Sequence, residues 1–170
     1  IAIESDFCPA TISLFISLVK NNHIIVPLTS ISDYNKKQFI EISKSQYYMK
    51  LEQTSDKINL EYKKLDFDGQ HNYYTTIRNR KSGGLVVFSS GSTGDSKASV
   101  HDIEPIFDKF KVKKRKFRSL IFLLFDHLGG INTILYTLSN GGCAVIPNSK
   151  KVDYVLKLIE DFNVELLPTT

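Results

Sequence analysis

Short runs of apolar and β-branched residues alternate along the chain with longer stretches whose apolar positions recur every three or four residues. Ile1-Ala2-Ile3-Glu4 predicts a strand, and residues 9–20 predict a helix with Ile12, Phe15, Ile16 and Val19 at helical spacing. Asn21-Asn22 ends that helix, and residues 24–28 predict a second buried strand. Ser32 or Asp33 can cap a helix carrying Phe39, Ile40 and Ile42. Residues 46–68 are polar and alternating, as in Lys57-Ile58-Asn59-Leu60-Glu61-Tyr62, which predicts exposed strands. Residues 71–82 fit neither period. Leu85-Val86-Val87-Phe88 predicts another buried strand, followed by a Gly/Ser/Thr loop, a short stretch through Val100 and a helix over about 104–114. Beyond it the pattern predicts a buried strand at 119–125 and a helix at 130–138 that Gly141-Gly142 terminates. A strand at 143–146, a helix at 152–162 and a last strand at 164–167 complete the series. Strand and helix in alternation define an α/β fold, a doubly wound and mostly parallel sheet flanked by helices.

The chain has 170 residues, enough for one sizeable core. Hydrophobic residues make up 42% and charged residues 24%, which excludes a collagen, a disordered tail and a membrane channel. The longest apolar run, 120–125, falls far short of the roughly 20 residues that cross a bilayer. No basic start followed by an apolar stretch and a small-residue cleavage site is present, so no signal peptide and no membrane association are expected. Cys8 and Cys143 lie far apart and suggest neither a disulfide framework nor a metal site, and a cytoplasmic location follows. A chain that opens at Ile1 and ends its last strand at Thr170 with no closing element is expected to be part of something longer.

The net charge of +4 has one source. Lys111, Lys113, Lys114, Arg115, Lys116 and Arg118 place six cations in eight residues, and without them the balance would be −2. Such a run can hold phosphate backbones. With only Phe117 interleaved and no nucleic-acid fold around it, the solvated-surface reading ranks ahead of nucleic-acid binding.

The stretch that carries chemistry is Ser89-Ser90-Gly91-Ser92-Thr93-Gly94-Asp95-Ser96-Lys97, directly after the 85–88 strand. Gly91 and Gly94 allow backbone conformations closed to other residues and a close ligand approach. Successive N–H groups in such a loop converge on an anion. The hydroxyls of Ser89, Ser90, Ser92 and Thr93 add donors, and Lys97 adds a mobile positive charge. A polyphosphate suits this set, although a plain Ser/Gly connection has the same composition. The Walker loop fails on spacing, because Gly91 is followed by Gly94 and then Lys97. No frame supplies Gly-x-Ser-x-Gly, and a Ser-x-x-Lys motif would need serine at Gly94.

Ser89 to Lys97 resembles the Ser-Ser-Gly-Thr-Thr-Gly-x-Pro-Lys loop of the AMP-forming adenylating enzymes, which include acyl- and aryl-CoA synthetases, luciferases and peptide-synthetase adenylation domains. Ser96 replaces the usual proline, and Ala98 the usual glycine after the lysine. The resemblance extends to the opening βαβ pattern through Ile25-Val26-Pro27-Leu28 and to Phe125-Asp126-His127-Leu128-Gly129-Gly130-Ile131-Asn132, similar to the segment lining the family's acyl pocket. Residues 46–82 match poorly.

The resemblance implies that Ser89, Ser90, Gly91, Ser92, Thr93, Gly94 and Lys97 hold the β- and γ-phosphates of ATP, with Thr93 and Lys97 closest to the chemistry. Asp126, His127 and Gly129 would face the carboxylic-acid substrate. A histidine at the His127 position sits beside the acyl group in coenzyme A ligases, and the Phe-Asp pair binds a substrate amine in peptide synthetases, so the choice between plain and amine-bearing acids stays open. His127 also fits a capping or buried structural role, and His101 is read as structural. The implied parent is an acyl/aryl adenylate-forming ligase using ATP with Mg²⁺ held through the phosphates, and coenzyme A or a carrier thiol as acceptor. Residues 1–170 would be part of its amino-terminal AMP-binding domain, inactive alone. The later adenine and ribose motifs and the domain with the catalytic lysine are not in these residues. A non-catalytic nucleotide- or acyl-binding module on the same scaffold is the alternative, and an open sheet edge is expected to favour self-association.

Overall fold

The strand predicted at the start of the chain, β1 (Ala2–Glu4), lies at the centre of a six-stranded sheet. In the computed structural model, residues 1–29, 33–90 and 96–169 are described, without the side chains at 33, 34 and 90. The chain divides into two compact units, Ile1–Pro105 and Ile106–Thr170. Among the described residues, no helix is long and apolar enough to cross a membrane.

In the first unit, β1 pairs in parallel with both β2 (Ile24–Leu28) and β3 (Tyr47–Gln53). The strand β4 (Ile58–Lys64) lies antiparallel outside β3. On the other side β5 (Gly84–Ser90) runs parallel to β2, and β6 (Ser96–Asp102) runs antiparallel to β5. The order is therefore β4-β3-β1-β2-β5-β6. The predicted parallel sheet is present, closed at each side by an antiparallel hairpin.

Helices cover both faces, which is why the inner strands read as continuous apolar runs. Phe39 of α2 (Asp33–Ile42) and Tyr74 of α3 (Asn72–Asn79) cluster with Ala2, Val26, Leu28 and Val86. Phe39 stacks on Phe88 with ring centroids 3.9 Å apart. Side chains alternate along a strand, so Ile3, Ile25 and Leu85 face the other way. There α1 (Pro9–Lys20) packs on β2 and β3 and buries Phe15 and Val19. Pro9 occupies the first helical position, and the Cys8 thiol accepts from the Thr11 amide at 3.4 Å.

The stretch at 71–82 that fitted neither period is α3. Only Tyr74 and Ile77 are buried, too few to set a helical period, and His71 caps the helix by accepting from the Tyr73 amide at 3.3 Å. The short stretch through Val100 belongs to β6, whose seven residues pair with β5 from Gly84↔Asp102 to Ser90↔Ser96. The helix expected over 104–114 is shorter: α4 (Ile103–Asp108) stops before the basic run. Continuing it would stack like charges on successive turns. Instead Lys111 pairs with Asp108 at 2.6 Å and the chain turns at Phe110.

In the second unit β7 (Arg118–Leu120) pairs in parallel with β8 (Cys143–Val145). The predicted strand at 119–125 is cut to this length. Ile121 and Phe125 are buried as the apolar run requires, but β8 ends before Pro147, which has no N–H to continue the ladder. The strand expected at 164–167 is reduced to a single bridge between Leu166 and Ser119. The helices α5 (Leu128–Ser139) and α6 (Val152–Asp161) complete the unit, with Val155 packed against Leu120 and Val145. Gly141, at φ +70°, follows the end of α5 as predicted.

Asp102 fastens the end of β6. Burial opposes ionisation there, but hydrogen bonds from Ser82 Oγ (2.6 Å), the Glu104 amide (3.1 Å) and Arg80 (3.3 Å) outweigh it and hold the carboxyl below its ordinary value. A depressed folded-state value contributes stability that is present above about pH 4 and is lost as pH falls through the folded pKa. Asp102→Asn is expected to cost about 1–2 kcal/mol at pH 7. Urea unfolding should show the difference from wild type shrinking towards pH 3.

Candidate functional site

The hairpin β5–β6 places the ends of the glycine- and serine-rich sequence side by side. Ser89 is the register partner of Lys97, and Ser90 of Ser96. Phe88 stacks on Phe39 of α2, so alternation turns Ser89 and Lys97 to the face opposite α2. Both are exposed, and among the described residues Lys97 makes no ion pair. Gly91, Ser92, Thr93 and Gly94 lie outside the described residues.

This hairpin end has a defined place in the sheet. Strands β1, β2, β3 and β5 are parallel, so residues 91–95 leave β5 at the edge where the other parallel strands also end. Open α/β sheets bind ligands at that carboxyl edge. Glu4, at the same end of β1, is buried and pairs with Lys36 at 2.8 Å, and the Tyr48 hydroxyl donates to its Oε2. Beside it the Ser5 hydroxyl lies 2.6 Å from that of Thr11 and donates to the Leu51 carbonyl at 2.8 Å. Sequence reasoning did not single out this polar cluster. Its one signal was a carboxylate closing an otherwise apolar strand. His101 is half-buried on β6 opposite Leu85. A cavity of about 180 Å³, lined by Ser43, Ser45, Tyr74 and Arg78 among others, lies at the opposite, amino-terminal ends of β1 and β2, away from every predicted site residue of this unit.

Asp126 and His127 belong to the second unit, where they lead from β7 into α5. His127 occupies the capping position with extended backbone, but its side chain makes no capping bond and is 60% exposed. It is therefore neither a capping nor a buried histidine. Its Nε2 stands 3.8 Å from Oδ1 of Asp126, a carboxylate largely withdrawn from solvent. The first amides of a helix lack partners within it and carry partial positive charge. With exposed Gly129 in that turn, the segment presents amide donors, an imidazole and a carboxylate together. Such a set can hold a small polar acid.

The two glycines of this turn differ. A Cβ on Gly130 would lie 2.1 Å from the Leu124 carbonyl oxygen, so only glycine lets α5 start against that backbone. A Cβ on Gly129 would meet only the tip of the Leu123 side chain, at 3.0 Å. The basic run stays exposed except at half-buried Phe117. Arg118 pairs with Glu165 at 3.7 Å, and Arg115 lies over the Phe117 ring at 4.9 Å. Among the described residues no three His, Cys, Asp or Glu side chains gather as a metal ion would need.

The sequence matches no protein-family model and no curated protein. Solved structures do match. The Klebsiella oxytoca NpsA N-terminal subdomain, in complex with 3-hydroxyanthranilyl-AMSN, is 20% identical with a TM-score of 0.67, over 98% of this chain and 46% of that one. The o-succinylbenzoate CoA synthetase MenE from Bacillus subtilis, in complex with its acyl-adenylate intermediate OSB-AMP, is 15% identical with a TM-score of 0.66, over 98% and 48%. The amide bond synthetase McbA from Marinactinospora thermotolerans is 16% identical with a TM-score of 0.60, over 98% and 38%. The chain shares its fold with part of the NpsA N-terminal subdomain and of the MenE and McbA structures, and it spans less than half the length of each.

Gly130→Ala is expected to lower stability by about 2–3 kcal/mol through forced displacement of α5. Gly129→Ala should stay within about 1 kcal/mol of wild type. Denaturant unfolding of the two variants measures the contrast.

Proposed function

We propose that this chain is part of an ATP-dependent acyl or aryl adenylate-forming ligase. One observation carries the reading: β5 ends at the carboxyl edge of the sheet and is joined to β6 through a sequence with the composition of a phosphate cradle, in a chain whose fold matches part of adenylating-enzyme structures. The complexes of the neighbours with an acyl-adenylate and its analogues support a carboxylic acid as substrate.

In the proposed reaction a carboxylate oxygen attacks the α-phosphorus of ATP, the bond to the α,β-bridging oxygen breaks, and pyrophosphate leaves with that electron pair. The sulfur of coenzyme A or a carrier thiol, its proton lost, then attacks the acyl carbon, the bond from that carbon to the phosphate oxygen breaks, and AMP leaves with the electron pair as the thioester forms. The demand on the protein is charge stabilisation at the departing pyrophosphate, not a nucleophilic side chain. Lys97 supplies a cation, and Thr93 with Ser89, Ser90, Ser92 and the amides around Gly91 and Gly94 supplies donors. Ser89 and Lys97, exposed on one face of the ladder, fit that task. A Mg²⁺ ion would be held mainly by the phosphate oxygens, as suits a small hard cation. Asp126, His127 and Gly129 would orient the acid. Residues 1–170 act as part of a larger amino-terminal domain, with adenine, ribose and catalytic-lysine functions supplied from elsewhere in a cytoplasmic parent protein.

Calorimetric titration of MgATP into this chain tests the loop. Binding on the order of millimolar or tighter is expected, and it should be abolished in the Thr93→Ala/Lys97→Ala variant. Binding that survives both substitutions, or no binding by the wild-type chain, overturns the assignment of a preformed phosphate site. The chain alone should show no ATP–pyrophosphate exchange. A parent protein that binds MgATP without exchange would be a non-catalytic module.

A further inference from the structure

The outermost strand β4 is seven residues long, and every one is exposed. Ile58, Leu60 and Tyr62 alternate along one face at 58%, 47% and 74% exposure, with Asn59, Glu61 and Lys63 on the other. Its inner edge is fully paired with β3, from Gln53↔Ile58 to Tyr47↔Lys64. The Thr54 amide donates to the Lys57 carbonyl at 2.9 Å, and the Leu65 amide to that of Gln46 at 2.8 Å. Odd-numbered residues therefore turn their backbone groups towards β3, while Ile58, Leu60, Tyr62 and Lys64 turn theirs outward. Among the described residues no strand receives them. An edge of this length with exposed apolar side chains is a template for another strand.

We propose that β4 pairs antiparallel with β4 of a second copy of the chain, about a two-fold axis at Tyr62, joining two six-stranded sheets into one. A two-fold axis perpendicular to the sheet keeps each side chain on its own face, so neighbouring registers differ by two residues. Charge selects among these. With Tyr62 opposite its own copy, Glu61 faces Lys63 of the second copy, and the pair occurs twice. One register away in either direction, Glu61 would face Glu61 or Lys63 would face Lys63, and directly opposed like charges destabilise a sheet. In the favoured register the outward-turned groups of Leu60 and Lys64 pair with each other and those of Tyr62 with their own copy. Glu61 and Lys63 then form the non-hydrogen-bonded pair, where side chains lie closest. Glu61 is placed to act this way, since among the described residues it accepts only from Asn59 at 3.2 Å and faces Lys50.

Sedimentation velocity over micromolar to millimolar chain concentrations reads the association. A concentration-dependent dimer is expected. Glu61→Lys should raise its dissociation constant about ten-fold or more, with circular dichroism unchanged. The Glu61→Lys/Lys63→Glu variant should restore it, because the pair re-forms with charges exchanged. In a chain whose two cysteines are replaced by serine, Tyr62→Cys should oxidise to a disulfide-linked dimer, and Leu60→Cys should not. A monomer throughout, a dimer indifferent to Glu61→Lys, or no rescue by the exchanged pair overturns the proposal. None of these outcomes depends on MgATP binding, so failure here leaves the ligase reading untouched.

Discussion

Three residues in the middle of the sheet constrain the rest of the first unit. Ala2, Ile3 and Glu4 have strands on both sides and helices on both faces, which leaves almost none of β1 in water. Burial of Ala2 and Ile3 is favourable by the hydrophobic effect alone, but it also draws a carboxylate inside, where an unpaired charge is costly. Lys36 of α2 and Tyr48 of β3 answer that charge. The same contact therefore ties α2 and β3 to the end of β1, at the edge from which the phosphate-loop sequence emerges.

The proposed functional residues follow one structural rule in both units. Residues 91–95 leave the carboxyl end of β5, and Asp126 and His127 come after the carboxyl end of β7. A parallel strand directs the segment after it to one edge, so backbone direction alone collects polar loops there while the core stays apolar. The chemistry can then vary without disturbing the packing of Leu85, Val86 or Leu120.

The parts that were legible in the sequence are those fixed by local composition. Pro9 with a regular apolar spacing gave α1 to the residue, and 24–28 gave β2 because both of its faces are buried. What the sequence hid depended on partners distant in the chain. Ser96 to Asp102 has little strand character of its own and becomes β6 through β5. Residues 122–125 look like the preceding strand residues but go unpaired: the ladder's last bond runs from the Ile121 amide to the Val145 carbonyl, and Pro147 has no N–H to continue it. The candidate residues divide in the same way. The loop residues and Asp126-His127 were visible as motifs, whereas the Glu4–Lys36–Tyr48 cluster exists only once the sheet has formed.

The brevity of β7 and β8 bears on how the chain opens. The ladder between them has three pairs, extended by one bridge at Leu166, against the seven-pair ladder between β5 and β6. Cooperative units with fewer backbone bonds and less buried surface open at lower free energy than the global transition. Amide hydrogens around Ser119 and Ala144 would therefore exchange with solvent through partial opening, while those of Val86 and Val87 wait for the sheet itself to unfold. The helix start that carries His127 is thus rooted in the more pliant of the two units, whose packing can adjust while the six-stranded sheet of the first unit stays closed.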